Sequence, residues 1–364
     1  MNFIYRMDLL WHAWMLHAGL ADFEAEASMD LASFTLKISA RNRYYRFHPR
    51  FTMHQGDRVG YAPRPSREMF GFAGWLPYVN KRWPIGSGKF AFKDFCAEKG
   101  LPTPRMWRRP QPDMRDFLVK HDLSSSGSGM RGPFRAYDAA SDAQALPEGG
   151  YYEQFVRGGM LKAWYWESRL VGLELHPMPM VTGDGSASFR DLVTRARRRP
   201  GATADWSPYH DLAAWQGLTL DTVPPEGARL LAEFRYTSPL NGGVFDNVPS
   251  LARYRDARFV PQLERFGPIL WHGIPEDVRP AALFSLDAIV DQDERLWLLE
   301  MNCNPAVHPD AYPFMLETLF GPRTSRAPAA PAPLRQPPPG AALPLQSLVM
   351  PDLRPERLPA TASR

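Results

Sequence analysis

The chain has 364 residues, a formal charge of +4, an aromatic share of 12%, 37 prolines and two cysteines. That length gives room for two or three compact units with a sizeable core. Cys96 and Cys303 are too few and too far apart for a disulfide framework or a thiolate zinc site, so a reducing cytoplasm is the expected compartment; the mild positive charge suits anionic ligands such as nucleotides without making the chain a nucleic-acid binder.

In chain order, Leu9 to Leu20 is apolar but carries His12 and His17. It is too short and too polar to span a bilayer and lacks the pattern of a signal peptide, so it reads as a buried amphipathic helix. Residues 1–80 form a small N-terminal unit, with an Arg- and Tyr-dense stretch from Arg41 to Arg50 and a loop from Pro63 to Arg67. Lys89 to Lys99 predicts a helix with Phe92, Phe95 and Cys96 on its apolar side; Gly100 stops it, and Pro102 and Pro104 follow. Strand-like runs come next at Asp116 to His121, Gly150 to Val156 and Lys162 to Leu175. A short helix is expected over Asp191 to Arg199 and further strand over Arg229 to Tyr236. Pro, Ala and Arg dominate residues 322–364, a composition that cannot bury enough apolar area to offset the entropy of ordering, so a mostly disordered tail is expected. The mixture predicts an α+β fold in which antiparallel sheets dominate.

The most informative stretch runs from Phe284 to Pro305. Two apolar runs flank Asp291, Gln292, Asp293 and Glu294, which predicts a hairpin. Side chains alternate faces along a strand, so Glu300 and Asn302 point the same way. A two-residue turn at Gln292 and Asp293 sets Asp287 opposite Leu298 and on that same face. Two carboxylates and a carboxamide oxygen, with no Lys or Arg between them, suit a hard cation such as Mg²⁺ shared with substrate phosphates. A surface hairpin with solvated acidic residues is the bland alternative.

Upstream, Lys120 precedes Ser124-Ser-Ser126-Gly127-Ser-Gly129-Met-Arg-Gly132. Residues 127–132 match G-x-G-x-x-G, but that motif must open a helix, and the residues after Pro133 read as a return strand. A strand, a Ser/Gly turn and a strand remain. Successive N–H groups in such a turn can wrap phosphate oxygens, with Lys120 adding a point charge. A flexible hairpin tip or a linker is the other reading.

Taken in order, these pieces resemble the ATP-grasp ligase superfamily, with cyanophycin-synthetase-like and glutathione-synthetase-like branches the most similar. The resemblance runs from about Gly86 to Phe320. It rests on the Lys89 to Pro104 helix and exit, Lys120 with its Ser/Gly loop, Tyr151-Tyr-Glu153-Gln-Phe155-Val156-Arg-Gly158, Val181-Thr-Gly-Asp-Gly185, Arg235, and the Asp287…Glu300-Met-Asn302 hairpin followed by Pro305. It implies an ATP-grasp fold, two α+β subdomains gripping ATP between antiparallel sheets, in a domain over residues 81–321 with a lid over about 105–157. It further implies that Lys89 and Lys120 contact nucleotide phosphates and that Ser126, Gly127 and Gly129 form the loop over them. Glu153 would accept from the adenine amino group, and Phe155 and Val156 would hold the adenine edge. Asp287, Glu300 and Asn302 would hold Mg²⁺, or Mn²⁺ in its place, and Arg235 would stabilise the transferring phosphoryl group. Asn304 and His308 would touch the acceptor.

The implied activity is ATP-dependent ligation of a carboxylate to an amine through an acyl phosphate, with an amino acid or peptide as substrate and a homodimer as the default assembly. Two departures stand out. Met160 occupies the position where relatives carry an acidic ribose ligand, and Lys162 stands where they tend to carry Arg. Residues 1–80 lack the strand–helix alternation of a full N-terminal domain. The alternatives are a non-catalytic ATP-binding scaffold and a ligase acting on a protein or polymer. A nucleic-acid role, resting on Arg41 to Arg50 and Arg195 to Arg199, is disfavoured because short basic runs are usually solvated faces.

Overall fold

The computed structural model describes residues 4–55, 58–123, 129–197, 206–235 and 250–323. Its N-terminal portion is a helix followed by five strands: α1 (Ile4–Ala21), β1 (Glu26–Asp30), β2 (Thr35–Ala40), β3 (Arg43–Gln55), β4 (Arg58–Ala62) and β5 (Met69–Leu76). The strands form one antiparallel sheet in the order β1-β2-β3-β4, with β5 paired to β3. Alternation along β2 buries Leu36, Ile38 and Ala40. The β3–β5 register shifts between Pro49 and Phe51, where proline supplies no ladder donor. Gly74 in β5 absorbs that irregularity at φ +97°. A Cβ there would stand 2.6 Å from Val307 Cβ and 2.9 Å from both His12 Cε1 and the Tyr312 hydroxyl, so only glycine fits.

Next come α2 (Lys89–Lys99) and a four-stranded antiparallel sheet in the order β6-β9-β7-β8, built from β6 (Met106–Trp107), β7 (Arg115–His121), β8 (Arg131–Ala136) and β9 (Gly150–Gln154). Helix α2 has the bounds that its sequence predicts, with Gly100 left-handed at its C-terminus. The central sheet follows, in the order β11-β10-β14-β15, from β10 (Gly159–Trp166), β11 (Arg169–His176), β14 (Leu283–Val290) and β15 (Leu296–Cys303). Between its halves lie β12 (Met180–Thr182), α3 (Phe189–Ala196), α4 (Ser207–Trp215), β13 (Arg229–Leu231), α5 (Ser250–Arg253) and α6 (Phe259–His272); α7 (Tyr312–Phe320) closes the described chain. The fold is α+β with antiparallel sheets.

The central sheet is covered on both faces. Leu161, Ala163 and Tyr165 of β10 pack with Phe92, Cys96, Leu263 and Leu270 from α2 and α6. Trp164 and Trp166 pack the other way, with Leu16 of α1 and Tyr312 and Leu316 of α7. Burial on both sides explains why Lys162 to Leu175 reads as one apolar run. It is two strands, turned at Glu167 with φ 56°. The strand expected over Arg229 to Tyr236 is only three residues long, and the helix expected over Asp191 to Arg199 is Phe189–Ala196.

The first 80 residues share their core with the central sheet and α7 rather than forming a separate one. In the Arg41 to Arg50 stretch Phe47, Pro49 and Arg50 are buried, while Arg41, Arg43, Tyr44 and Arg46 are exposed. Arg43 donates to Leu319 O at 2.8 Å and Arg41 to Phe320 O at 3.2 Å, satisfying end carbonyls of α7 where the helix dipole favours cations. Among the described residues no helix is long and apolar enough to cross a membrane. The expected tail lies, from residue 324 on, outside the described residues.

Candidate active site

Asp287 and Glu300 face each other directly on β14 and β15. The route to that pairing differs from the two-residue turn read from the sequence. Asp291 accepts from the amides of Asp293 at 2.9 Å and Arg295 at 3.0 Å and from Trp297 Nε1 at 2.9 Å, while Glu294 takes φ 57°. The turn is therefore one residue longer. Taken alone, that change would carry Glu300 to the core face beside Leu286. A bulge at Leu299 adds one residue to β15 and brings the ladder back into phase. Asp287 thus opposes Glu300, not Leu298, and Ser285 opposes Asn302. Leu286, Leu298 and Met301 point to the core, and Asp287, Glu300 and Asn302 share the other face.

The expectation that no cation stands among these oxygens is corrected. Lys162, the cross-strand partner of Asp287 on β10, places Nζ 2.5 Å from Asp287 Oδ1. Lys89, in the first turn of α2, places Nζ 3.1 Å from Glu300 Oε2. Asn302 Nδ2 donates to Asp287 Oδ2 at 3.2 Å. Burial, with Glu300 facing it, pushes Asp287 up to about 6 against the pull of Lys162. Burial works the same way on Glu300, but Lys89 and Lys162 outweigh it and hold Glu300 below the usual carboxylate range. Among the described residues no cluster of three or more His, Cys, Asp or Glu side chains is set to hold a metal; the oxygen set here is two carboxylates and an amide.

A second charged group lies behind the first. Glu153 of β9 is 1% exposed. Lys120 of β7 donates to its Oε1, and Lys93 of α2 stands 2.8 Å from Oε2 as an ion pair without hydrogen-bond alignment. Lys93 also donates to Thr103 Oγ1 at 2.5 Å and Leu298 O at 3.2 Å, tying this group to β15. The open acceptor edge expected of Glu153 is thus occupied by lysines in this structure. Burial opposes ionisation, but Lys120 and Lys93 together hold the carboxyl below its ordinary range. Tyr151 sits between the two groups, fully buried, its hydroxyl without a hydrogen bond among the described residues; burial first, then Glu153, Glu300 and Asp122, push its pKa up.

The remaining expected residues are placed as follows. Ser126 and Gly127 lie outside the described residues; Gly129 is exposed at φ +69°, just before β8. The Phe155 amide donates to Asp116 O at 2.6 Å, and its ring meets Trp215 and Phe234 edge-on, each at 5.2 Å; Val156 is buried beside it. Arg235 forms a two-pronged pair with Glu233, through Nε at 2.9 Å and Nη2 at 2.6 Å. Asn304 and His308 hold the chain after β15. Asn304 Oδ1 accepts from the Lys81 amide at 2.9 Å, and His308 caps the turn at Pro309–Ala311. Lys93, Tyr151 and Glu233 were not singled out from the sequence. Lys93 had a signal, since it lies one turn after Lys89 on the same helical face.

No protein-family model matches this sequence, and no curated protein does. Among solved structures, the chain is similar to a bifunctional glutathione synthetase from Pasteurella multocida, at 15% identity over 84% of this chain and 43% of that one, with a TM-score of 0.37. A D-alanine–D-alanine ligase from Bacillus anthracis, complexed with ATP, is similar at 11% identity over 65% of each chain, with a TM-score of 0.32. The ATP-grasp ligase PsnB, complexed with a minimal precursor, is similar at 10% identity over 65% of this chain and 59% of that one, with a TM-score of 0.32. The similar structures are ATP-grasp ligases. The chain spans less than two thirds of the length of each.

Proposed function

We propose that this chain is an ATP-dependent carboxylate–amine ligase of the ATP-grasp kind, forming an amide or peptide bond through an acyl phosphate. One observation carries the reading: Asp287 and Glu300 face each other on paired strands, with Lys89 at the N-terminal turn of α2 reaching Glu300. Facing carboxylates at a helix N-terminus, with lysines at hand, form a place where polyphosphate and cation can meet.

The oxygen set fits a hard divalent ion, because the closeness of the two carboxyl groups already helps push Asp287 up, a repulsion that a cation relieves. Asp287, Glu300 and Asn302 would hold Mg²⁺ or Mn²⁺, which would supply neutralising charge to the transferring phosphoryl group. Lys89 would exchange Glu300 for phosphate oxygens, and Lys120, still held by Glu153, would reach them as a second point charge, with Ser126, Gly127 and Gly129 as the candidate loop contacts. Glu153 would keep Lys120 in place, and Phe155 and Val156 would wall the base.

In the reaction, a carboxylate oxygen of the substrate bonds to the γ-phosphorus and ADP departs. The amine then attacks the acyl carbon, the C–O bond to phosphate breaks with its electron pair, and the amine loses a proton to solvent. The protein supplies position, charge and exclusion of water; Arg235, held flat by Glu233, would stabilise the transferring group. Phosphate release from Mg-ATP with mixed amino acids, beside the same assay on Glu300→Gln, tests this. We expect amino-acid-dependent release that falls by at least about a hundredfold in the variant, the usual cost of one electrostatic group at a transition state. Near-normal turnover in Glu300→Gln would remove the assignment.

A further inference from the structure

Arg50 is a buried cation with no anionic partner among the described residues. It lies on β3, only 4% exposed, and forms no ion pair among the described residues. Its Nη2 donates to Asn304 O, its guanidinium carbon lies 4.2 Å from the centre of the Tyr61 ring, and its buried Nε has no hydrogen-bond partner among the described residues. Two residues along the same strand, the buried Thr52 hydroxyl also has no partner among the described residues. A guanidinium keeps its charge at any physiological pH, so burial without a counter-charge is a cost that the Asn304 carbonyl and the Tyr61 ring offset only in part. Burial lowers the Arg50 pKa, against the opposing influence of Tyr61 and Tyr78, and no carboxylate is among the neighbours that oppose it.

The location gives this cost a use. Asn304 follows Asn302 by two residues, and Tyr61 is close enough to Lys162 to bear on its charge. Arg50 therefore stands at the Asn304 end of the site, whereas Lys89 stands at the Glu300 end and Lys120 behind it. The planar fork of an arginine matches a carboxylate or a phosphate, and Lys89 and Lys120 already stand as the point charges for phosphate at the other end, which leaves the carboxylate to Arg50. We propose that Arg50, with Thr52 beside it and the Tyr61 ring as its cover, anchors the carboxylate of the acyl substrate and aims it along β15 toward the nucleotide end. This rests on the ligase reading for its chemistry, but the anion site itself stands on the unpaired charge.

The test compares the wild type with Arg50→Met and Arg50→Lys, by urea unfolding and by phosphate release from Mg-ATP. The probe is an equimolar mixture of the standard amino acids. Arg50→Met is expected to raise the unfolding midpoint of the ligand-free protein, because it removes an uncompensated buried charge. The amino-acid concentration for half-maximal release should rise at least about tenfold, the worth of a charge-assisted hydrogen bond, with the ATP dependence unchanged. Arg50→Lys should fall between. The mixture alone should raise the wild-type midpoint and not that of Arg50→Met. That result without any ATP turnover would sustain the anion site and sink the ligase reading. Turnover with the same amino-acid dependence in wild type and Arg50→Met would sink the anion site and spare the ligase. Lower stability in Arg50→Met with unchanged dependence would make Arg50 a structural tie to Asn304. A stabilisation by ATP that Arg50→Met alone loses would assign the site to phosphate and overturn the proposal.

Discussion

Glu153 carries two positive charges on one buried carboxylate, and that makes it the most exposed point of failure at the scale of single residues. Both Lys120 and Lys93 are themselves largely buried. Glu153→Gln would leave two ammonium groups without their counter-charge, and removing one partner of a buried pair costs about 3–5 kcal/mol. Urea unfolding should show that loss, and adding Lys93→Met to the variant should return part of it, since one orphaned charge goes with it. The sign with pH follows from the depressed carboxyl: its contribution is fully present above the ordinary glutamate value and is lost as pH falls through the folded value. An unchanged midpoint in Glu153→Gln would mean that the lysines find other partners. The residue itself was legible as part of the Tyr-Tyr-Glu-Gln run. That it faces inward onto two lysines was not, because Lys93 and Lys120 come from a helix and a strand whose packing no local pattern specifies.

Elements were easier to read than their pairing. Lys89 to Lys99 showed its helix plainly, through an apolar face and a glycine stop, and the β14 and β15 runs were visible as apolar segments around a polar break. Register was harder. The acidic turn offers several lengths, and which one forms depends on the bonds that Asp291 collects from Asp293, Arg295 and Trp297. The reading that placed Asp287, Glu300 and Asn302 on one face reached that face through a shorter turn and a regular strand. The molecule gets there through a longer turn and a bulge, two irregularities that cancel. Asp291→Ala should therefore loosen the turn that sets the phase of the hairpin. A loss of about 1–3 kcal/mol is expected from stranding these donors, read by urea unfolding, with faster amide exchange in β15. Unaltered exchange there would show that the Leu299 bulge, not the turn, holds the register. The first five strands were missed for a related reason. In the Arg- and Tyr-rich stretch Arg41, Arg43 and Arg46 are indeed exposed, but alternate residues such as Phe47 turn inward, and Arg41 and Arg43 also tie the strand to the end of α7, far away in sequence.

At the scale of the whole molecule, the N-terminal helix, the first sheet and the last helix are joined at one buried point. Tyr312 of α7 accepts from the Trp75 amide of β5 at 3.0 Å, and its hydroxyl meets His12 Nδ1 of α1 at 2.8 Å. The hydroxyl can both accept and donate, so a neutral His12 pairs with it through Nδ1 in either tautomer. Burial, helped by His308 nearby, lowers the His12 pKa from 6.5 to about 3. The unfolded chain binds this proton below pH 6.5 and the folded chain does not until about 3. The stability that the neutral histidine contributes is therefore fully present above 6.5 and is lost as pH falls through that window, by up to about 1.4 kcal/mol per pH unit. Urea midpoints measured from pH 7.5 down to 4 should fall accordingly. His12→Asn places a neutral amide, able to donate or accept, where Nδ1 stood and cannot titrate, so its acid limb should be flatter, although its midpoint at neutral pH will be lower from lost packing. Parallel acid limbs in the two proteins would show that the carboxylates, Glu153 first among them, govern acid stability and that the junction of α1, β5 and α7 tolerates a charged His12.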